Sequence, residues 1–267
     1  MPPGLLLRFS CLGGKEFKAF LFFLLCVPQL TVGVIGAGKL GSQIALRLHG
    51  NSVRVIASVK TERSRQRLSA LGLEVYTDNK IVVENSDVLF LAVKPANLAE
   101  LNFYVDKPLI SFVAGATLEY LKRLSARPYR AMTNVGLTAI AVAGPYDEEV
   151  NKLLSYIAPT FWVEERLIDP LTVLLGSGPA IVAELALALI RAGVNIGIPW
   201  DLSREIVLSL MASLPSLDDK FSMEKLAQYV ATPGGTTIKA LVELSPAGQL
   251  VGRAVEEAYL RISKLRQ

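Results

Sequence analysis

The residues best placed to do chemistry are Gly36-Ala37-Gly38-Lys39-Leu40-Gly41, a G-x-G-x-x-G. It follows an apolar pentapeptide, Thr31-Val32-Gly33-Val34-Ile35, and opens an apolar-periodic stretch that runs to His49. In a strand–turn–helix the first glycine permits the tight turn, the second lets backbone approach a pyrophosphate, and the third packs helix against strand. The phosphates then sit on free amides at the helix N-terminus. The hexapeptide alone is a weak signal, and a glycine-rich turn without a ligand is the bland alternative. The strand before it and the helix after it favour a dinucleotide site. About twenty residues further on, an NAD site would place Asp or Glu against the ribose hydroxyls. Here the second strand ends Val55-Ile56-Ala57-Ser58-Val59-Lys60, with Arg63 and Arg65 close behind. Hydroxyl and cationic groups in place of a carboxylate suit a 2′-phosphate, so NADPH is expected, with NADH as the weaker candidate. A solvated basic helix face competes as the explanation of that charge.

The remaining residue types narrow the chemistry. Cys11 and Cys26 are the two cysteines and His49 the one histidine in 267 residues. That excludes a Cys/His metal cluster, a Cys/His dyad and a Ser/His/Asp triad in the body of the chain. No metal site is expected, and the cysteine usage suits a reducing cytoplasm. A chain this poor in histidine but carrying a dinucleotide motif must lean on its cofactor for the reactive atom. The net charge is +4, but the basic residues are dispersed rather than gathered on one face, so no nucleic-acid partner is expected.

Elements that could position the motif alternate as strand and helix up to about residue 165. Strands are predicted at Thr31–Ile35, Ser52–Ala57, Glu74–Tyr76, Asp87–Val93, Leu109–Val113, Tyr129–Met132 and Thr138–Val142. Helices are predicted from Leu40 to His49, Glu62 to Leu71 and Leu118 to Leu124. This spacing argues for an α/β Rossmann domain, a doubly wound and mostly parallel sheet, over residues 30–165. From 166 to 267 the pattern is all helical: Ala180–Ala192, Ser203–Leu214, Met223–Val230, Thr236–Leu244 and Gln249–Lys264. Ala180–Ala192 is apolar on nearly every side and must be buried, either in a core or between subunits. An all-α dimerisation domain is the expectation, with a monomeric bundle as the competing arrangement. Residues 1–29 form a separate extension. Lys15 and Lys18 precede the apolar run 19–27, which is too short to span a bilayer and has no small-x-small cleavage site after it. A start-site artefact or dispensable tail is expected ahead of a membrane anchor, and no membrane partner is expected.

Taken together, several segments between Thr31 and Lys264 resemble the pyrroline-5-carboxylate reductases. They are Gly36 to Gly41, Asp87-Val88-Leu89-Phe90-Leu91-Ala92-Val93-Lys94-Pro95, Met132-Thr133-Asn134, Gly176-Ser177-Gly178-Pro179-Ala180 and Thr232-Pro233-Gly234-Gly235-Thr236-Thr237. The order and spacing carry the likeness, not any one segment. The resemblance implies NADPH-dependent reduction of a cyclic imine to proline by a homodimer or a ring of dimers. It implies cofactor contacts at Ile35, Gly36, Ala37, Gly38, Lys39 and Leu40, at Asn79, at Ala92, Val93, Lys94 and Pro95, and at Phe112, Val113 and Ala114. It also implies that Thr232, Gly234, Gly235 and Thr236 hold the substrate carboxylate, that Thr237 approaches the imine nitrogen as the catalytic residue, and that Ser177 is a second substrate contact. Read without the family, the two latter segments are helix caps, where Ser, Thr and Gly are common.

Two departures stand out. After Asn134 the chain runs straight into Val135-Gly136-Leu137-Thr138, several residues shorter than the family pattern. Lys220 stands where relatives carry Glu, with Asp218 and Asp219 adjoining it. Either suggests an altered imine substrate. A β-hydroxyacid dehydrogenase would share the general plan, but it needs a lysine on the long helix, and Ala180 to Leu189 contains none. A non-catalytic NADP-binding protein is the more distant alternative.

Overall fold

Side-chain alternation along the strands builds two apolar layers around one sheet. In β1 (Thr31–Ile35), Val32 and Val34 point to one face and Ile35 to the other. In β4 (Val88–Leu91), Val88 and Phe90 join the first layer while Leu89 and Leu91 join the second. Strands apolar on both faces must be covered on both, as parallel sheets are. The computed structural model describes residues 30–263. The apolar run at 19–27 lies outside the described residues.

The sheet has eight strands in the order β3-β2-β1-β4-β5-β6-β7-β8, adding β2 (Arg54–Ser58), β3 (Glu74–Tyr76), β5 (Val105–Ser111), β6 (Ser125–Thr133), β7 (Ile140–Ala143) and β8 (Thr160–Trp162). Every pairing is parallel except β6 with β7. The first layer is filled by α1 (Lys39–Gly50), whose Ile44, Ala45 and Leu48 are buried. It also takes Leu68 from α2 (Glu62–Ser69) and Val150, Leu153 and Leu154 from α5 (Glu148–Ser155). The second layer takes Val82 and Val83 from α3 (Asn79–Glu84) and Leu121 from the single turn α4 (Leu118–Leu121).

Among the strands and α-helices of the sheet half, α3, α5 and β8 were not predicted. Both helices carry an N-cap aspartate. Asp78 accepts from the Lys80 amide, and Asp147 accepts from the amides of Glu149 and Val150. The predicted strand at Thr138–Val142 begins later, at Ile140, and turns back antiparallel on β6, so the sheet is not parallel throughout.

From Glu165 onward the described residues contain no strand. One long helical run comprises α6 (Ile168–Thr172), a π turn (Val173–Ser177) and α7 (Gly178–Asn195). It is followed by α8 (Trp200–Phe221), α9 (Met223–Val230), α10 (Thr236–Glu243) and α11 (Ala247–Ser263). This half has little core of its own. Ala186, Ile190 and Val207 form its small buried cluster, and α9 and α10 bury no residue. Val182, Leu185 and Leu189 on α7 are about half exposed, as are Leu202 and Leu210 on α8. The run Glu165–Asn195 is also long and apolar enough to cross a membrane by length and composition.

Candidate functional site

Connections leave β1 and β4 in opposite directions along the sheet, which makes the crevice between their C-terminal ends the place where open α/β sheets bind ligands. The Ala92 amide donates to the Ile35 carbonyl at 2.9 Å and closes the floor of that crevice. Gly36 has φ +87°, and a Cβ there would stand 2.7 Å from Val93 Cγ1, so only glycine makes this turn. A Cβ on Gly41 would overlap the Gly36 carbonyl oxygen and sit 3.1 Å from Ala92 Cβ; the close approach of α1 to β1 depends on its absence. Gly38 is the opposite case. Nothing lies within 4 Å of where its Cβ would be. That open space faces the start of α1, where Gly38 offers no side-chain cap and the first turn has no acid. The tip therefore presents unfilled donors and the positive end of the helix to whatever enters.

The cleft over this tip has a volume of about 390 Å³ and is lined by Gly36, Ala37, Gly38, Lys60, Lys94 and Asn97 among others. It adjoins a smaller recess of about 150 Å³ that reaches Ser58, Asn79 and Glu100. Some of the predicted cofactor residues line these two spaces and others do not; Ala114 packs instead against the cluster that includes Met132 and Ile168. Gly36, Ala37, Gly38, Lys60, Ala92, Val93 and Lys94 line the cleft. Val59, though mostly buried, also lines the cleft, whereas Ile35, Phe112 and Val113 are buried in the core, so only their backbone can face a ligand. Leu40 packs against the first apolar layer, and Pro95 starts the short 3-10 turn Pro95–Glu100. Ser58 is not a free hydroxyl for a phosphate. It is buried, accepts from the Gly36 amide at 3.4 Å and donates to Asn79 Oδ1 at 2.6 Å, so it and Asn79 fix the glycine turn.

Sequence reasoning missed Thr61, Ser64, Asn97 and Glu100. Thr61 caps α2 by accepting from the Ser64 amide at 3.2 Å, and both line the cleft. Their Thr-x-x-Ser spacing at a helix start was the available signal. Glu100 reaches across the recess to Lys60, with Nζ 3.3 Å from Oε2, while Asn97 Nδ2 donates to Oε1 at 3.0 Å. The Asn97 hydrogen bond first, and the Lys60 cation second, hold the Glu100 carboxyl below the usual carboxylate range. A larger cavity of about 640 Å³ opens next door, between α3 and the segment leading into β5. Both cations on its wall are engaged: Lys80 pairs with Glu84 at 3.8 Å, and Lys107 donates to the carbonyls of Val83 and Ser86, where burial lowers its pKa.

The second predicted site is a helix start as well. Gly234 has φ +70°, the Gly235 amide donates to the Thr232 carbonyl at 3.0 Å, and a Cβ on Gly235 would overlap Thr232 Oγ1. α10 then begins at Thr236 with no side-chain cap and no acid in its first turn. Thr236 is exposed and Thr237 half-buried. However, α10 shares no substantial interface with any other element, so one chain does not bring Thr237 to the cofactor cleft. Ser177 is placed differently from expectation. It lies in the π turn of a continuous helix, not in a turn opening one. Pro179 has no N–H for the regular ladder, and the wider turn accommodates its ring. The shortened segment after Asn134 is a tight hairpin turn. Asn134 Oδ1 accepts from the Gly136 amide at 2.9 Å, and its Nδ2 donates to Thr138 Oγ1 at 2.7 Å.

One buried ionic cluster joins the two halves. Arg130 on β6 pairs with Asp169 on α6, both almost fully buried, and stands 3.7 Å from Glu165 Oε1. Glu165 also accepts from the Leu118 amide at 2.7 Å, capping α4. The junction between sheet and helices is thereby held by charge-assisted bonds.

Two family models match different parts of the chain. A family model described as pyrroline-5-carboxylate reductase dimerisation matches residues 165–265, and one described as NADP oxidoreductase, coenzyme F420-dependent, matches residues 31–115. The pyrroline-5-carboxylate reductase of Aquifex aeolicus is 31% identical over 83% of this chain and 91% of its own. Pyrroline-5-carboxylate reductase 2 of Rattus norvegicus is 34% identical over 89% of this chain and 84% of its own. The crystal structure of the Streptococcus pyogenes 1-pyrroline-5-carboxylate reductase superposes with a TM-score of 0.79 at 28% identity, covering 89% of this chain and 98% of that one. Identity at this level over more than four fifths of the chain places the protein: it belongs to the pyrroline-5-carboxylate reductase family.

Proposed function

We propose that this chain reduces 1-pyrroline-5-carboxylate to proline with NADPH, and that it does so as a homodimer. The observation that carries the reading is the uncapped α1 tip at the switch point, whose second glycine borders open space where a pyrophosphate would lie. With its pyrophosphate on that tip, the bound cofactor would supply the hydride for the imine carbon. The chain's own contribution is placement. The Thr232–Thr237 turn offers amides for the substrate carboxylate, and the Thr237 hydroxyl hydrogen-bonds the ring nitrogen so that the carbon accepts the hydride. Most of the acceleration then comes from orientation of the two partners.

Dimerisation follows from the surface of the helical half. Its exposed apolar side chains continue from α7 onto α8, α10 and α11, among them Leu189, Ile206, Val242 and Leu250. A surface spread over four helices fits a second copy better than a single span through lipid, and α7 also carries the Glu184–Arg191 ion pair at 3.3 Å. Because α10 makes no substantial interface within the chain, a second copy is what completes the substrate end of the site.

The test is oxidation of NADPH followed at 340 nm with purified full-length protein and pyrroline-5-carboxylate, alongside the mass by light scattering. Turnover with a mass of twice 28.9 kDa or a multiple of it supports the reading. Cofactor binding without turnover would establish a non-catalytic binder instead.

A further inference from the structure

We infer that Glu100, acting through its ion pair with Lys60, sets the cofactor preference and keeps NADH usable. The inference rests on the dinucleotide-binding reading and adds a residue to it. In an NAD site the carboxylate that takes the ribose 2′-hydroxyl comes from the end of the second strand. Here that position holds Ser58, whose hydroxyl is spent on the glycine turn, and Val59, which is buried. The structure places a carboxylate in the same recess from the opposite wall. Glu100 ends the 3-10 turn that follows β4, and it lines the recess with Ser58, Val59, Lys60 and Asn79. Asn97 aims one Glu100 oxygen and Lys60 holds the other at 3.3 Å.

The pair is built to yield. Both side chains are well exposed, 71% for Lys60 and 62% for Glu100, and a pair this open is weak enough for a ligand to break. A ribose 2′-hydroxyl donates to Glu100 without disturbing Lys60. A 2′-phosphate, carrying close to two negative charges, must draw Lys60 away and then sit beside the Glu100 carboxylate. The cation thus favours NADPH while the acid opposes it and accepts NADH. Removing the acid should sharpen the preference.

The experiment measures dissociation constants of NADPH and NADH by fluorescence titration for the full-length protein, Glu100→Gln and Glu100→Lys. Direct binding keeps the result independent of imine turnover. One solvent-screened charge interaction at about 4 Å corresponds to about a fivefold change in affinity, so Glu100→Gln should raise the NADPH preference about fivefold. Glu100→Lys, which adds a second cation, should raise it further. Both cofactors binding with an unchanged ratio in the two variants overturns the inference and leaves the dinucleotide site standing. Failure of the unaltered protein to bind either cofactor overturns both.

Discussion

Two glycines three residues apart should respond oppositely to the same added methyl group. At Gly41 the methyl overlaps the Gly36 carbonyl oxygen, a backbone atom in a turn that itself cannot move because Gly36 is wedged against Val93. Overpacking of this kind costs about 1–3 kcal/mol. For a domain of this size that corresponds to a melting temperature lower by roughly 2–12 °C. At Gly38 the methyl meets nothing within 4 Å, and the backbone has φ −76°, so the apo fold should melt like the parent. The cost appears only when a pyrophosphate approaches. Holding a phosphate off even one tip amide forfeits a charge-assisted hydrogen bond of about 1.5–3 kcal/mol. That is roughly a ten- to hundredfold rise in the NADPH dissociation constant. Thermal melts of Gly38→Ala and Gly41→Ala without ligand, paired with NADPH titrations, separate the two effects. Parental NADPH affinity in Gly38→Ala would falsify placement of the pyrophosphate on the α1 tip. A parental melt in Gly41→Ala would refute the close-packing argument on its own.

Other outcomes follow from the same geometry. Thr237→Ala should lower kcat by roughly a hundred- to ten-thousandfold, the scale of one positioned proton donor, while NADPH titrates as before; an unchanged kcat removes Thr237 from the chemistry. Arg130→Met leaves the Asp169 carboxylate buried without its cation, which should cost about 3–5 kcal/mol, whereas Arg130→Met with Asp169→Leu should recover much of that loss in a denaturation series. If the double variant melts no higher than the single one, the ionic account of the junction fails. Asp147→Asn should lower the melting temperature at pH 7, because Asp147 caps α5 and pairs with Arg127 at 2.7 Å. Burial pushes the Asp147 carboxyl up, but the α5 amides and Arg127 together outweigh it and hold it below the usual range. Its folded-state value is therefore depressed, and its contribution is present above about pH 3.9 and lost as the pH falls through the folded value. Melts of Asp147→Asn and the parent should accordingly converge only in strong acid, and convergence near neutral pH would contradict the assignment.

What the sequence made legible was what depends on neighbours in the chain. The pentapeptide Thr31–Ile35, the glycine turn and α1 are set by local periodicity and by backbone freedom at Gly36, so their places could be read directly. The change to helices near 165 was equally plain. Features that depend on which strands lie side by side were hidden. Glu100 meets Lys60 across 40 residues only because the sheet order puts β1 between β2 and β4 and so faces their C-terminal loops across one recess. Likewise, Ser58 reads as a phosphate-binding hydroxyl until the Gly36 amide and Asn79 claim it. The antiparallel return of β7 depends on how Asn134 folds its own turn, a choice that apolar spacing does not encode.

The apolar helix carries the same lesson further. Its composition requires burial, yet only Ala186 and Ile190 of α7 are buried within the chain. Val182, Leu185 and Leu189 stay about half exposed although the helix packs on α8. Leaving several such side chains in water forgoes about 1.5–3 kcal/mol for each one fully buried. The small cluster of Ala186, Ile190 and Val207 cannot supply that amount for the helical half. On the proposed reading, the stability of this half belongs to an assembly rather than to one chain, and so does the placement of Thr237, on a helix that buries nothing alone. Folding and catalysis are then coupled through one surface, and a charge introduced at Leu189 should weaken the assembly and imine turnover together while leaving the α1 tip able to bind NADPH.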